Sequence, residues 1–184
     1  SGYNTDVSNG INKAVAAGAS VINLSLTYMA TPDIVTAINN AAAKGAFKSW
    51  RKVPMAERRA LIIKLADAID ARVDEFARLL TQEQGKPLSE STAEIAYTAA
   101  FLRYLASLEL ENKLIEDNDN RRVEMRRKPL GVVGCIIPWN FPVLIVAFKA
   151  PVALLAGNTI VIKPAPTTPL TTLRLGELCA EIFP

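Results

Sequence analysis

The 184-residue sequence contains no histidine. Without an imidazole, no Ser-His-Asp or Cys-His nucleophile can be assembled from this chain, and the His-containing zinc sites go with it. A serine protease is therefore not expected. Cysteine is almost as scarce: Cys135 and Cys179 stand 44 positions apart, form no CxxC pair and give no disulfide framework. A reducing cytoplasm is compatible with that usage. Long apolar runs are missing as well. The greasiest stretch, Val143 to Ala156, is 14 residues long and carries Lys149 and Pro151, so it reads as a buried core helix and not as a membrane span. Nor is charge concentrated. With 21 Lys+Arg against 18 Asp+Glu the net charge is +3, and the one basic cluster, Arg121 to Lys128, contains Glu124 and alternates with apolar residues like a strand. Neither nucleic-acid nor membrane binding is expected.

What is present is globular: half the residues are hydrophobic and a fifth are charged, too apolar for a disordered chain. A chain of this length can bury roughly 70% of its unfolded surface. The sequence starts at Ser1 with no leader pattern and stops at Phe183-Pro184, at the end of a helical pattern. It is expected to be cut from something longer.

The character changes at residue 45. Before it, Asp6 is a plausible N-cap, Val7, Ile11, Ala14 and Val15 keep a helical period, and Gly18 stands at the stop. Residues Val21 to Leu26 read as a buried strand. Thr31-Pro32-Asp33 opens a second helix, which Gly45 is expected to close. A further parallel strand should follow, and none does. Instead an amphipathic pattern runs through Leu61, Ile62, Leu65, Ile69, Phe76 and Leu80, with a bend near Val73, a recap at Asp74 and a stop at Gly85 and Pro87. Another helix covers about Ser89 to Leu108. Asp117 to Asn120 is turn chemistry between two alternating segments, which predicts a protruding two-stranded arm. From Gly131 the βα rhythm returns: strand Val132 to Ile137, helix Val143 to Ala156, strand Thr159 to Lys163, helix Leu170 to Phe183. Two parallel strands leave open edges, so more strands must come from missing sequence, a partner, or the first 45 residues.

The segment Gly10 to Leu26 (Gly-Ile-Asn-Lys-Ala-Val-Ala-Ala-Gly-Ala-Ser-Val-Ile-Asn-Leu-Ser-Leu) resembles the subtilisin-like serine proteases, over about the first 45 residues. In that family the stretch is scaffold, and the catalytic residues lie elsewhere. Where the family continues Ser-Leu-Gly-Gly, this chain has Ser25-Leu26-Thr27-Tyr28. From about Ala46 to Pro184 the sequence resembles the N-terminal part of the NAD(P)-dependent aldehyde dehydrogenases. The resemblance is carried by Glu83-Gln84-Gly85-Lys86-Pro87, Arg127 to Gly134, Ile137-Pro138-Trp139-Asn140-Phe141-Pro142, Leu155 to Thr159 and Ile162-Lys163-Pro164-Ala165. The expected architecture is α/β: a partial Rossmann-like parallel sheet with flanking helices and a hairpin arm near residues 113–128, preceded by a subtilase-like helix-strand-helix unit over residues 1–45.

Asn140 follows a strand end and a Pro-Trp turn, so its amide would stand at the carboxyl edge of the sheet, where open α/β folds place ligands. It could donate to an oxyanion, a role the resemblance also implies; the alternative is an Asn that only caps the turn. Lys163 ends the next strand and could bond a ribose hydroxyl or phosphate, or be merely solvated. By resemblance it contacts the adenosine ribose of NAD or NADP. The acid that often shares that ribose is replaced by Pro166, which leaves the choice of cofactor open. Ile137, Pro138 and Trp139 would line the nicotinamide side by resemblance, although apolar strand ends also serve packing. Lys149, the one charge in the greasy helix, should face a cleft or a carboxylate, or snorkel to water; in the family its counterpart is associated with proton transfer. Cys135 and Cys179 read as small core residues.

The resemblance implies oxidation of an aldehyde to an acid through a thiohemiacetal, with hydride passing to NAD(P)⁺. It also implies that the nucleophilic Cys, the general-base Glu and the pyrophosphate loop belong to sequence beyond Pro184. The aldehyde dehydrogenase part is expected to be cytoplasmic, to lack turnover alone, and to self-associate through the arm. The alternative is a chimeric or engineered folding or binding module with no enzymatic function.

Overall fold

The computed structural model describes residues 42–184 together with the backbone of a short strand, β1 (Val21–Asn23). The expected helix from Asp6 to Gly18, the continuation of the strand to Leu26 and the helix start at Thr31 lie outside the described residues.

Residues 42–50 form helix α1, which buries Ala42, Ala46 and Trp50 at one-turn intervals. Gly45 does not end this helix as expected. It lies on the exposed side, open space surrounds the position a Cβ would take, and the helix runs through it to Trp50. A helical glycine costs about 1 kcal/mol relative to alanine, less than the burial of an indole returns.

Three helices follow: α2 (Met55–Asp70), α3 (Val73–Gln84) and α4 (Leu88–Ser107). Their apolar faces meet through Ile62, Leu65, Ile69, Phe76, Leu80, Ile95 and Leu102, all buried. The bend near Val73 stands where the pattern predicts it, but Asp74 is not the cap. Arg72 holds the N-cap position, and the Asp74 carboxylate accepts from Arg78 Nε at 2.9 Å one turn on. Gly85 ends α3 in the left-handed conformation at φ 87°.

The sheet is built by β4 (Val132–Ile136), α5 (Pro142–Leu155), β5 (Thr159–Lys163) and α6 (Leu170–Ile182). Its order is β1-β5-β4, all parallel, with Ile160 opposite Val21 on one side and Val133 on the other. The strand that covers the second edge of β5 thus comes from the first 45 residues, one of the three sources left open by the sequence. Two contacts seat α1 against this unit: Trp50 Nε1 donates to the Leu154 carbonyl at 3.1 Å, and Thr159 Oγ1 donates to the Ala43 carbonyl at 2.8 Å.

The expected arm is a hairpin of β2 (Lys113–Asn118) and β3 (Arg121–Met125), antiparallel, with a register shift between Leu114 and Glu116. Asn118 Oδ1 holds the turn by accepting from the backbone N–H groups of Asn120 and Arg121. Among the described residues these strands pair only with each other, and Leu114, Ile115 and Val123 are exposed.

One turn demands glycine for two reasons at once. Gly157 follows α5 at φ 86°, and a Cβ there would meet Arg58 Nη1 at 3.2 Å and Pro129 Cβ at 3.5 Å. That guanidinium is already committed to the Val53 carbonyl at 2.7 Å. Gly157→Ala is therefore expected to cost about 2–3 kcal/mol, from left-handed strain plus crowding. Gly85→Ala, with nothing within 4 Å of its Cβ, should cost only the strain, about 1 kcal/mol. Urea midpoints of the two variants check the difference.

Candidate functional site

Strands β4 and β5 end side by side. Ile136 is in register with Lys163, and the Ile137 N–H donates to the Lys163 carbonyl at 3.0 Å. Two loops, residues 137–141 and 164–169, therefore leave the carboxyl edge of the sheet together, where nucleotide-binding α/β folds hold their ligands. Pro138, Trp139 and Asn140 are exposed on the first loop, and the Lys163 side chain is exposed at the root of the second. Ile137 contributes to this edge by its backbone alone, because its side chain belongs to the core.

Lys149 projects from the exposed face of α5, and its ammonium donates to the Ile136 carbonyl at 2.6 Å. Of the partners expected for this charge (a cleft, a carboxylate or water) the exposed side chain meets the last, and it adds a strand-end carbonyl on the same edge as Asn140 and Lys163. Its field also acts on Cys135. Burial pushes that thiol above its ordinary range, and the Lys149 charge offsets part of the shift. Cys179, buried beside Leu175 and Leu178, has its thiol pushed up to about 12 by burial. Both cysteines are free and buried, as expected of core residues, and both are protonated at neutral pH.

The cap of α5 bears on the surroundings of Asn140. Helix α5 begins with Pro142, which has no N–H, so its first orphan donors are Val143 and Leu144. Both donate to Glu94 Oε1, at 3.2 Å each. Asn140 does not cap this helix: the capping group is Glu94, from α4, whose side chain is fully buried. Glu94 Oε2 in turn takes Lys86 Nζ at 2.5 Å, and the same ammonium donates to the Asn140 carbonyl at 2.9 Å and sits 4.2 Å over the Phe141 ring. The Asn140 side-chain amide has no hydrogen-bond partner among the described residues.

A second acid of the same corner acts on the other loop. Glu83 accepts from the Leu170 and Thr171 N–H groups at 2.7 and 3.0 Å, and from the Thr171 hydroxyl, at the start of α6. The motif Glu83-Gln84-Gly85-Lys86-Pro87 thus ends one helix and reaches the N-termini of two others. Sequence reasoning quoted this motif without giving its residues a task, and it missed Glu94. A signal existed: Glu94 lies on the buried face of α4 among Ser91, Ile95, Thr98 and Leu102, where a carboxylate must find partners.

Among the described residues no cluster of three or more Cys, Asp or Glu could hold a metal ion, and no helix is long and apolar enough to cross a membrane.

A parallel sheet flanked by helices, with a lysine and an Asn-bearing turn at its carboxyl edge, defines a unit of the open α/β class. A model of the aldehyde dehydrogenase family matches residues 12–184, and the chain belongs to that family. It is 42% identical over 159 aligned residues to phenylacetaldehyde dehydrogenase from Pseudomonas fluorescens, covering 81% of this chain and 32% of the relative. It is 39% identical to the mitochondrial succinate-semialdehyde dehydrogenase of Arabidopsis thaliana over 144 residues, 77% of this chain and 27% of that one. Among solved structures, PnpE from Pseudomonas sp. WBC-3 superposes with a TM-score of 0.77 at 41% identity, over 80% of this chain and 31% of PnpE. PnpE has also been solved in complex with nicotinamide adenine dinucleotide. The chain spans about a third of the length of the curated relatives it matches. The family match begins at residue 12, well ahead of the change in sequence character at residue 45.

Proposed function

We propose that this chain forms the cofactor-binding front part of an enzyme that oxidises an aldehyde to a carboxylic acid with NAD or NADP as hydride acceptor. The supporting observation is the hydrogen bond from Ile137 to Lys163, which sets the Trp139-Asn140 loop beside the lysine at one sheet edge. In this reading the Lys163 ammonium holds an adenosine ribose hydroxyl, and Pro138 and Trp139 pack against the nicotinamide side. The Asn140 amide, which has no cap to serve, donates to the oxygen that gains charge as the aldehyde is attacked. A rigid donor of that kind contributes about 3 kcal/mol to the transition state. Lys149, tied to the Ile136 carbonyl, would hold or relay a proton at the same edge. The cofactor supplies the hydride acceptor and nothing else.

The fit of a dinucleotide rests on exposed groups converging at adjoining strand ends. Burial of Cys135 and Cys179, which raises both thiols, argues against either as the attacking thiolate. In this reading the nucleophile, the general base and the pyrophosphate loop belong to sequence outside this chain, which by itself would bind cofactor without turnover. This same observation favours the second reading, a module with no chemistry of its own. The organisation proposed is a dehydrogenase region over residues 46–184 preceded by a subtilase-like segment over residues 1–45. Its support is the Gly10 to Leu26 motif alone, since the family match itself begins at residue 12. Self-association through the exposed apolar residues of the arm and a cytoplasmic location complete the proposal.

The test is a titration with NAD⁺ and NADP⁺ followed by Trp139 fluorescence, with buried Trp50 as constant background. Saturable quenching is expected, weakened at least about tenfold by Lys163→Ala, the loss of one charge-assisted hydrogen bond. A folded chain that responds to neither nucleotide overturns the cofactor reading.

A further inference from the structure

We propose that Lys86 and Glu94 are positioning residues for the Asn140 turn: a buried ion pair on the α3–α4 corner that clamps the loop and the helix on either side of that turn. The proposal rests on the reading of Asn140 as an oxyanion donor for its functional meaning, and on hydrogen bonds alone for its mechanics.

Each partner has a reason to be where it is. The Glu94 carboxyl group lies on the buried face of α4, where a charge is costly unless compensated. Its two oxygens divide the task. One takes the Val143 and Leu144 N–H groups at the positive end of α5, and the other takes the Lys86 ammonium. Lys86, nearly buried itself, then spends its remaining donors on the loop: the Asn140 carbonyl at 2.9 Å and the face of Phe141 at 4.2 Å. The carbonyl of Asn140, the ring of Phe141 and the N–H groups of Val143 and Leu144 are thus held by one pair of side chains reaching from outside the sheet. The Asn140 side chain, free of any local bond among the described residues, is left to point where this fixed backbone sends it. An oxyanion donor needs that arrangement, because its amide must be aimed before charge develops.

Glu83 provides an internal control. It caps α6 by the same chemistry and from the same motif, but its partners are Leu170 and Thr171 and not the Asn140 turn. A variant that merely loosens a helix cap on this corner should resemble Glu83→Gln. A variant that releases the clamp should not.

The experiment uses the whole chain labelled with 5-fluorotryptophan, whose two ¹⁹F resonances report Trp139 in the loop and Trp50 in the core, together with ¹⁵N spectra of the Asn140 side-chain amide. Removing one charge leaves the other buried and can unfold the protein, so the main variant is Lys86→Met with Glu94→Gln, which removes both. The expected result is a moved or broadened Trp139 resonance, a broadened Asn140 amide pair, and exchange of the Val143 and Leu144 amides at least about tenfold faster. Trp50 should be unmoved. Glu83→Gln should speed exchange at Leu170 and Thr171 and leave Trp139 in place. Lys86→Arg, which keeps the charge, should restore most of the Trp139 signal. If the double variant folds with Trp139 and Asn140 unchanged, or if Glu83→Gln disturbs them equally, the clamp is overturned. The oxyanion reading fails separately: a complete enzyme that keeps its aldehyde turnover on Asn140→Ala would reject that role while leaving the clamp intact.

Discussion

Replacing Trp50 with alanine is expected to lower the stability of the protein by about 3–5 kcal/mol, the range for truncating a large buried aromatic. The indole is 1% exposed, donates to the Leu154 carbonyl and meets the Phe183 ring edge-on with centroids 6.0 Å apart. Truncation leaves a cavity and a loosened final turn at Phe183, and it strips the indole donor from a Leu154 carbonyl that keeps the Gly157 N–H at 2.9 Å. Domains of this size are stable by about 5–15 kcal/mol, so the variant should sit close to its unfolding threshold. Trp50→Phe keeps most of the volume and loses the hydrogen bond, and should cost about 1–2 kcal/mol. Urea denaturation followed by circular dichroism separates the two. If both variants unfold at the same midpoint as the parent, α1 is not part of the cooperative unit.

Alkaline destabilisation through Cys179 should be comparably large. Burial raises its thiol from an ordinary 9.0 to about 12 in the folded state. The unfolded chain therefore loses the proton first as pH rises. Stability from this site is complete below pH 9 and is lost through the window up to 12, at about 1.4 kcal/mol per pH unit and approaching 4 kcal/mol in all. Cys179→Ala should flatten this part of the profile, measured as the difference in unfolding free energy between the two proteins at pH 8, 9, 10 and 11. Cys135 shifts in the same direction, with Lys149 opposing, so its own substitution should flatten the profile further. Parallel profiles for parent and Cys179→Ala would mean that the thiol reaches water when folded.

The elements from Met55 to Ile182 were legible because each has a local signal: a 3.6-residue period, a glycine stop at Gly85, turn chemistry at Asn118, or a short apolar run before a loop. The position of Asn140 and Lys163 at the sheet's carboxyl edge was legible for a similar reason, since the carboxyl ends of parallel strands are fixed once the strands are. Three features were not. The helix through Gly45 continues because Trp50 packs against Leu154, a contact more than a hundred positions away that no local propensity reveals. The N-cap of α3 went to Arg72 because Asp74 found a cation one turn ahead. Glu94 escaped notice because a single acid in a helix reads as solvent-facing until the helix's buried face is known. Once it is known, the carboxylate calls for a partner, and Lys86 is the nearest cation on the corner.

The central strand has a temporal consequence. Helices α2 to α4 contact one another within a short span of sequence and can assemble as soon as they have been synthesised. Strand β5 is different: Ile160 lies beside Val21, about 140 positions earlier. Pairings of such separation are slow to form. During vectorial synthesis the helical corner would be ready first, and the β1 segment would remain unpaired until the β5 segment emerges from the ribosome. That interval, more than the finished fold, is when chaperone binding and premature strand pairing would compete for this chain.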